Sequence, residues 1–376
     1  MKNVLITMFL VVTSLSCSGQ LNVKELSKTY NVITKKECDN NNGYWYNNKC
    51  WANFEDEGIS KKDIDGVAKE QFKLIKNTKI KINEKNYPII FFMPEEDGNE
   101  LFLITVFKEG DNEKTLLQIA ENVSIFNDKN FETHGLIFNG NLVKLSEEES
   151  PILEDLYNNP KAIGNINVIV NDIEELDVSF KGNLNDVTSD STYDISFTTN
   201  EAIMGAGDST IEIKDNEAHI NGTLGTLTFI QLKDVIKNHP NIKTLVLGNI
   251  SGSVNDEVNM HTGRLVREHG FTTKVLSNSV IASGGVDLFC AGKERIVNKG
   301  AKIGVHSWGA GAYTATDIPK DHPAHQYQIE FFTMCMGKED GPEFYFYTLD
   351  SASFDDIHWM SDNEIKKRKV ATKFIN

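Results

Sequence analysis

The chain has 376 residues, 40% of them hydrophobic and 24% charged, with a formal net charge of −16. That length exceeds one ordinary domain and predicts two or three. The acidic balance excludes a nucleic-acid binder that works through phosphates, because such a surface is basic.

At the start, Met1-Lys2-Asn3 carries one positive side chain and Val4 to Val12 is an apolar run of signal-peptide length. It is too short to span a bilayer as a mature helix. Small residues follow around Cys17 in Thr13-Ser14-Leu15-Ser16-Cys17-Ser18-Gly19. This resembles a bacterial lipoprotein signal, which implies removal of the leader (1–17) and lipidation of Cys17. Plain cleavage and a retained anchor are the alternatives. No later stretch is long and apolar enough to cross a membrane. The expectation is an exported protein, periplasmic or membrane-anchored, that meets the membrane only through Cys17.

Residues 18–58 form a short polar segment in which Cys38 and Cys50 bracket a turn-rich loop. In an exported chain that pattern predicts a disulfide. A zinc site is disfavoured because no second Cys or His pair lies close by. Cys290 and Cys335 have apolar neighbours and are expected as buried free thiols. Residues 59–207 are expected as a β-rich α+β accessory domain. A helical pattern over Ser60–Lys76 precedes the strand-like runs Ile89–Met93, Leu101–Phe107, Val168–Val170, Leu176–Phe180 and Tyr193–Phe197. Between Asn77 and Asn200 there is no nucleophile with a base, no metal-ligand cluster and no phosphate loop.

From residue 208 to 376 strands alternate with helices. Thr210–Ile213, His219–Gly222, Ile242–Leu247 and Thr272–Leu276 read as strands, and Leu224–Asn238 and Asn255–His269 as helices. This β-α-β order predicts a largely parallel sheet covered by helices.

Three loops at strand ends carry the chemistry. They are Asn249-Ile250-Ser251-Gly252-Ser253, Ala282-Ser283-Gly284-Gly285 and Val305-His306-Ser307. A serine needs a base beside it to attack an acyl carbon. Ser283 is the candidate nucleophile and His306 the candidate base. The backbone N–H groups of Gly252 and Gly284 are the candidate oxyanion donors, since glycine lets the backbone approach a substrate. Each piece also has a bland reading: Ser283 as a helix N-cap, His306 as a core histidine on a carbonyl, Ser251-Gly252-Ser253 as a plain turn.

Together these motifs, with Phe289-Cys290-Ala291-Gly292-Lys293-Glu294-Arg295 and Ala301–His306, resemble the Clp protease proteolytic subunit. The nearest likeness is to the exported Clp-like serine proteases of bacteria, over roughly 209–376. The resemblance implies a ClpP/crotonase-like β-α-β superhelical fold for the C-terminal domain. It also implies a Ser-His-Asp site with a backbone oxyanion hole, a peptide or protein substrate and no cofactor or metal. The interval of 23 positions from Ser283 to His306 is close to the family's. Ile250-Ser251 and Ser253 depart from the family's first loop, while Gly252 matches its donor. The strict counterpart of the acid is Ile357, which cannot serve. Asp356 is favoured, then Asp355, with His358 a further candidate partner. Family members often form rings, and a homo-oligomer is neither supported nor excluded.

His322 and His325, three apart among acidic residues, invite a metal, but Pro323 between them spoils helical spacing. A structural or substrate-lining insertion is the expectation there. Two further functions compete with the hydrolase. One is a non-catalytic envelope lipoprotein that binds peptide or protein partners on a decayed site. The other is a crotonase-type acyl-coenzyme A enzyme, which export away from coenzyme A disfavours.

Overall fold

The computed structural model describes residues 23–54, 58–141, 158–310 and 313–375. The leader and Cys17 lie outside the described residues. Contacts divide the chain into two compact units. Of the described residues, one unit takes those within 69–207 and the other joins those of 23–68 with those of 208–375.

The stapled segment has two short helices, α1 (Val23–Leu26) and α2 (Lys35–Asn40), and three strands, β1 (Thr29–Tyr30), β2 (Tyr44–Tyr46) and β3 (Lys49–Trp51). Thr34 caps α2 in a reciprocal box with Glu37. Cys38 and Cys50 are joined in a disulfide that links α2 to β3. By its contacts this segment belongs with 208–375. Trp51, 1% exposed, packs its ring edge-on to His322 at 4.5 Å. The His322 Nδ1 accepts from Ala324 N–H, so Nε2 carries the proton and donates to Leu26 O at 3.1 Å. Both ring nitrogens are thus spent on structure, and His322 is a docking hub. Further along, helix α3 (Ile64–Asn77) buries Ile64 and Ala68 against Phe229 and Val258.

Residues 69–207 build a closed barrel of eight antiparallel strands. These are β4 (Lys79–Ile82), β5 (Lys85–Asp97), β6 (Glu100–Glu109), β7 (Asn112–Glu121), β8 (Asn130–Asn139), β9 (Ala162–Asp172), β10 (Asp177–Asp186) and β11 (Thr192–Thr199). Each pairs with the next, and β11 closes on β4 through Ile195–Ile82 and Ser196–Lys81. Alternation puts Phe92, Phe180 and Phe197 on the inner face, where Phe180 and Phe197 stack at 4.2 Å. Leu176, expected to open a strand, instead lies in the β9–β10 turn at φ 48°.

In the other unit the sheet runs β12 (Thr210–Lys214), β13 (Glu217–Asn221), β14 (Thr244–Ile250), β15 (Thr272–Ala282), β16 (Glu294–Asn298) and β19 (Lys373–Ile375). It is parallel from β13 onward, with β12 antiparallel at the edge. Helices α4 (Thr226–Asn238), α5 (Asp256–Glu268) and α6 (Gly284–Cys290) connect β13 to β14, β14 to β15 and β15 to β16. Asn255 caps α5 by accepting from Val258 N–H, and Gly270 follows that helix at φ 68°.

The long strand β15 has two partners on one side. Its first half, 272–275, pairs with β16. Its last three residues pair in parallel with β17 (Lys302–Val305). Four residues bulge out between the halves, since Leu247 faces Val275 while Asn249 faces Val280. That bend sends the end of β15 to a second edge, where β17 also meets β18 (His358–Trp359). The core beneath includes Ile281, Val286, Phe289, Ile303 and Phe331, all at most 2% exposed. Each such side chain contributes about 2 kcal/mol of burial.

Candidate active site

Strands β13, β14, β15 and β17 run in parallel, so the loops after them open at one edge, where sites form in α/β sheets. The first two loops are tied together. Leu224 N–H donates to Gly252 O and Val254 N–H to Leu224 O, both at 2.9 Å.

Ala282 pairs with Gly304, and Ser283 N–H donates to Gly304 O at 3.1 Å. In one residue the chain then turns from strand into helix α6. Ser283 makes that turn at φ 50°, ψ −129°. Such backbone belongs to glycine and costs a serine on the order of 1–3 kcal/mol. Ser283 stands at the N-cap position, yet its hydroxyl makes no capping bond. The bland N-cap reading therefore fails, and the hydroxyl is left for other work.

Gly252 lies directly against it. A Cβ on Gly252, whose φ is +156°, would stand 3.2 Å from Ser283 Cβ and 3.5 Å from Ser283 Oγ. Gly284 is the first residue of α6, where an N–H has no partner within the helix. Neither the Gly252 nor the Gly284 N–H donates a hydrogen bond among the described residues. The structure thus brings Gly252, Ser283 and Gly284 together, with two amides that donate to nothing among the described residues.

His306 follows β17 directly, half-buried on the strand beside Ser283. Its Nδ1 lies 2.8 Å from Ser307 O, which makes Nδ1 the protonated nitrogen and leaves Nε2 with the lone pair. Burial pulls its pKa below 6.5, against the opposing pull of the Ser307 and Phe354 carbonyls. Among the described residues no hydrogen bond joins His306 to Ser283 Oγ.

The acids expected to complete the site are engaged elsewhere. Asp356 is exposed and accepts from Ile357 N–H at 2.7 Å, and Asp355 accepts from Ser353 Oγ at 2.8 Å. Their own tight turn supplies donors one and two residues away, and neither carboxylate bonds His306. His358 is taken by Glu364 at 2.9 Å, and the Tyr347 hydroxyl bonds the same carboxylate oxygen. Local hydrogen bonds hold that carboxyl near about 2. The Nδ1 partner is a peptide carbonyl, from Ser307, where a carboxylate is the sequence expectation.

The second histidine of the insertion, His325, is fully buried. Its Nδ1 meets the Tyr345 hydroxyl at 2.7 Å, and Trp308 Nε1 donates to that hydroxyl at 2.9 Å. Burial pushes its pKa down to about 4, so the ring is neutral. Among the described residues no group of three or more His, Cys, Asp or Glu side chains is arranged to hold a metal.

One cluster was not anticipated. Helices α5 and α6 pack side by side beneath the Gly252 loop. Asn259 Nδ2 donates to Gly284 O at 2.9 Å, and a Cβ on Gly284 would collide with Ser253 Oγ. Ser253 Oγ donates to Asp256 Oδ1. Asp287 lies one turn below Gly284 on α6, as Asn259 lies one turn below Asp256 on α5. Burial raises the Asp256 carboxyl to about 6, and burial and the neighbouring Asp256 raise Asp287 well above 3.8. The sequence signal was there: Asp287 interrupts the apolar run Val286-Asp287-Leu288-Phe289.

No protein-family model matches the chain. No curated protein matches it either. Among solved structures, a variant of a membrane-bound stomatin-specific protease in complex with a substrate peptide is similar at 14% identity. That likeness covers 42% of this chain and 72% of that one, with a TM-score of 0.31. An enoyl-CoA hydratase from Bacillus halodurans is similar at 14% identity over 45% of this chain and 73% of its own, also at 0.31. The enoyl-CoA hydratase from Bacillus anthracis is similar at 12% identity over 45% and 70%, again at 0.31.

Proposed function

We propose that the protein is a serine hydrolase, a peptidase acting outside the cytoplasm, with Ser283 as nucleophile and His306 as base. The observation that carries this is Ser283 itself. It holds glycine-like backbone at a strand-to-helix turn, with a hydroxyl that caps nothing and two unpaired amides beside it. Strain of this kind persists where the surroundings impose it, and it gathers at functional sites.

In the reaction, His306 Nε2 takes the Ser283 Oγ proton as Oγ bonds to the acyl carbon. The carbonyl oxygen becomes an oxyanion between the Gly252 and Gly284 amides. Collapse breaks the bond to the leaving amine, which takes the proton back from His306. Water then attacks the acyl-enzyme by the same route and frees the acid. Each oxyanion donor contributes about 3 kcal/mol to lowering the barrier. The Ser307 carbonyl holds Nδ1–H, so Nε2 faces the work as the lone-pair nitrogen. In this reading neither Asp356 nor Asp355 is the third member, since each carboxylate is bonded in its own turn. Export and a lipid at Cys17 belong to the proposal through the leader's composition.

A fluorophosphonate probe tests this. Wild type is expected to form a covalent adduct at Ser283, and Ser283→Ala none. The labelling rate should rise with pH to a plateau whose midpoint lies below 6.5, because burial depresses the His306 pKa. Equal labelling of both proteins would remove the nucleophile.

A further inference from the structure

The seam under Ser283 holds acceptors without donors. Asp256 receives the Ser253 hydroxyl on one oxygen. The Asp287 carboxylate accepts no hydrogen bond among the described residues, and no Lys, Arg or His pairs with either carboxyl there. Asn259 is 1% exposed, and with Nδ2 committed to Gly284 O its Oδ1 is left without a partner. A buried amide oxygen without a donor costs about 1–3 kcal/mol, so native folds rarely leave one idle.

Geometry aims this set at the nucleophile. Helical side chains lean toward the helix N-terminus. On α6 that direction leads from Asp287 toward Ser283, one turn above. On α5 it leads from Asn259 toward Asp256 and the oxyanion loop. Asp256 and Asp287 are both half-buried, so the seam is neither sealed nor open surface. Two carboxyls and an amide oxygen, short of donors, match a group that is all donors and positively charged. An ammonium or a guanidinium is such a group.

We propose that Asp256, Asn259 and Asp287 form the subsite for a cationic side chain on the acyl side of the substrate, making the enzyme selective for cleavage after lysine or arginine. This rests on Ser283 being the nucleophile. Asp287 is the specificity-determining residue, because its carboxylate has no other partner. Asn259 offers its Oδ1 as a hydrogen-bond acceptor, and Asp256 adds the second negative charge.

Two peptidyl diphenyl phosphonates separate the possibilities, one with a lysine side chain and one with the uncharged norleucine side chain. Adducts at Ser283 are counted by mass spectrometry, with a fluorophosphonate lacking any side chain as reference. Wild type is expected to react at least tenfold faster with the lysine probe. Asp287→Asn should bring the two probes to similar rates, each read relative to that variant's own reference labelling. Butylammonium should slow the reference labelling of wild type, and butanol at equal concentration should not; this arm needs no variant to fold. Reference labelling with equal lysine and norleucine rates overturns the cationic subsite and leaves the hydrolase standing. Failure of the reference itself removes the nucleophile, and the subsite with it.

Discussion

In the barrel, Asn83, Gly98, Gly110 and Leu176 hold left-handed backbone in the connections between paired strands. In the α/β unit, Ser283 holds it between a strand and a helix, where many sequences turn without it. The barrel's exceptions are what an antiparallel meander requires to reverse direction. The exception at Ser283 serves no reversal, and it stands with a half-buried carboxyl pair and an unpartnered amide oxygen. The barrel's irregularities stabilise the fold; the one at Ser283 works against it. Undoing each should therefore move stability in opposite directions.

The largest effect is expected in the barrel. Gly182 and Gly164 let strands β9 and β10 approach closely: a Cβ on Gly182 would strike Asn165 O and stand 2.7 Å from Ile166 Cα. Backbone cannot move aside as a side chain can. Gly182→Ala should cost about 3 kcal/mol, read as a lower denaturant midpoint. An unchanged midpoint would break the claim that the close approach of β9 and β10 is structural.

The opposite sign is expected at Asp256. Its folded pKa of about 6 exceeds the ordinary 3.8, so the folded state binds more protons across that window. Its contribution to stability is full below about 4 and is lost as pH rises through 6. Asp256→Asn removes the ionisation. The variant should gain on the order of 2 kcal/mol over wild type at neutral pH and nothing near pH 3.5. Paired melts at the two pH values check this, and a gain independent of pH would separate stability from the carboxyl.

Such groups differ in how far the chain alone discloses them. Helices α4 and α5 were legible because their apolar periodicity and the caps at Asn255 and Gly270 are local. Cys38 and Cys50 were legible because a short polar loop between them has few other uses. The closure of β11 on β4 was not, since two residue pairs distant in sequence decide it. Nor was the split pairing of β15, which depends on a bulge that no periodicity marks. The acceptor for His306 left no trace at all, because a peptide carbonyl is common to every residue. Asp256 and Asp287 meet only when α5 packs on α6, so Asp256 alone looks like a solvated acid and Asp287 shows only as a break in an apolar run.

The smallest effect is the most discriminating. Ser283→Gly replaces a strained serine by the residue that suits φ 50°. Relief of strain is worth about 1–3 kcal/mol, and glycine's greater freedom in the unfolded chain takes back about 0.4–1. A net gain of about 1 kcal/mol should raise the melting temperature by a few degrees while abolishing fluorophosphonate labelling. Leu176→Gly relaxes similar backbone at φ 48° but deletes a side chain that is only 2% exposed, so it should lower the melting temperature. Opposite signs at two residues with the same backbone sign would locate the strain that serves chemistry. A loss at both would mean that Ser283 is held by packing alone, and its φ would then say nothing about a nucleophile.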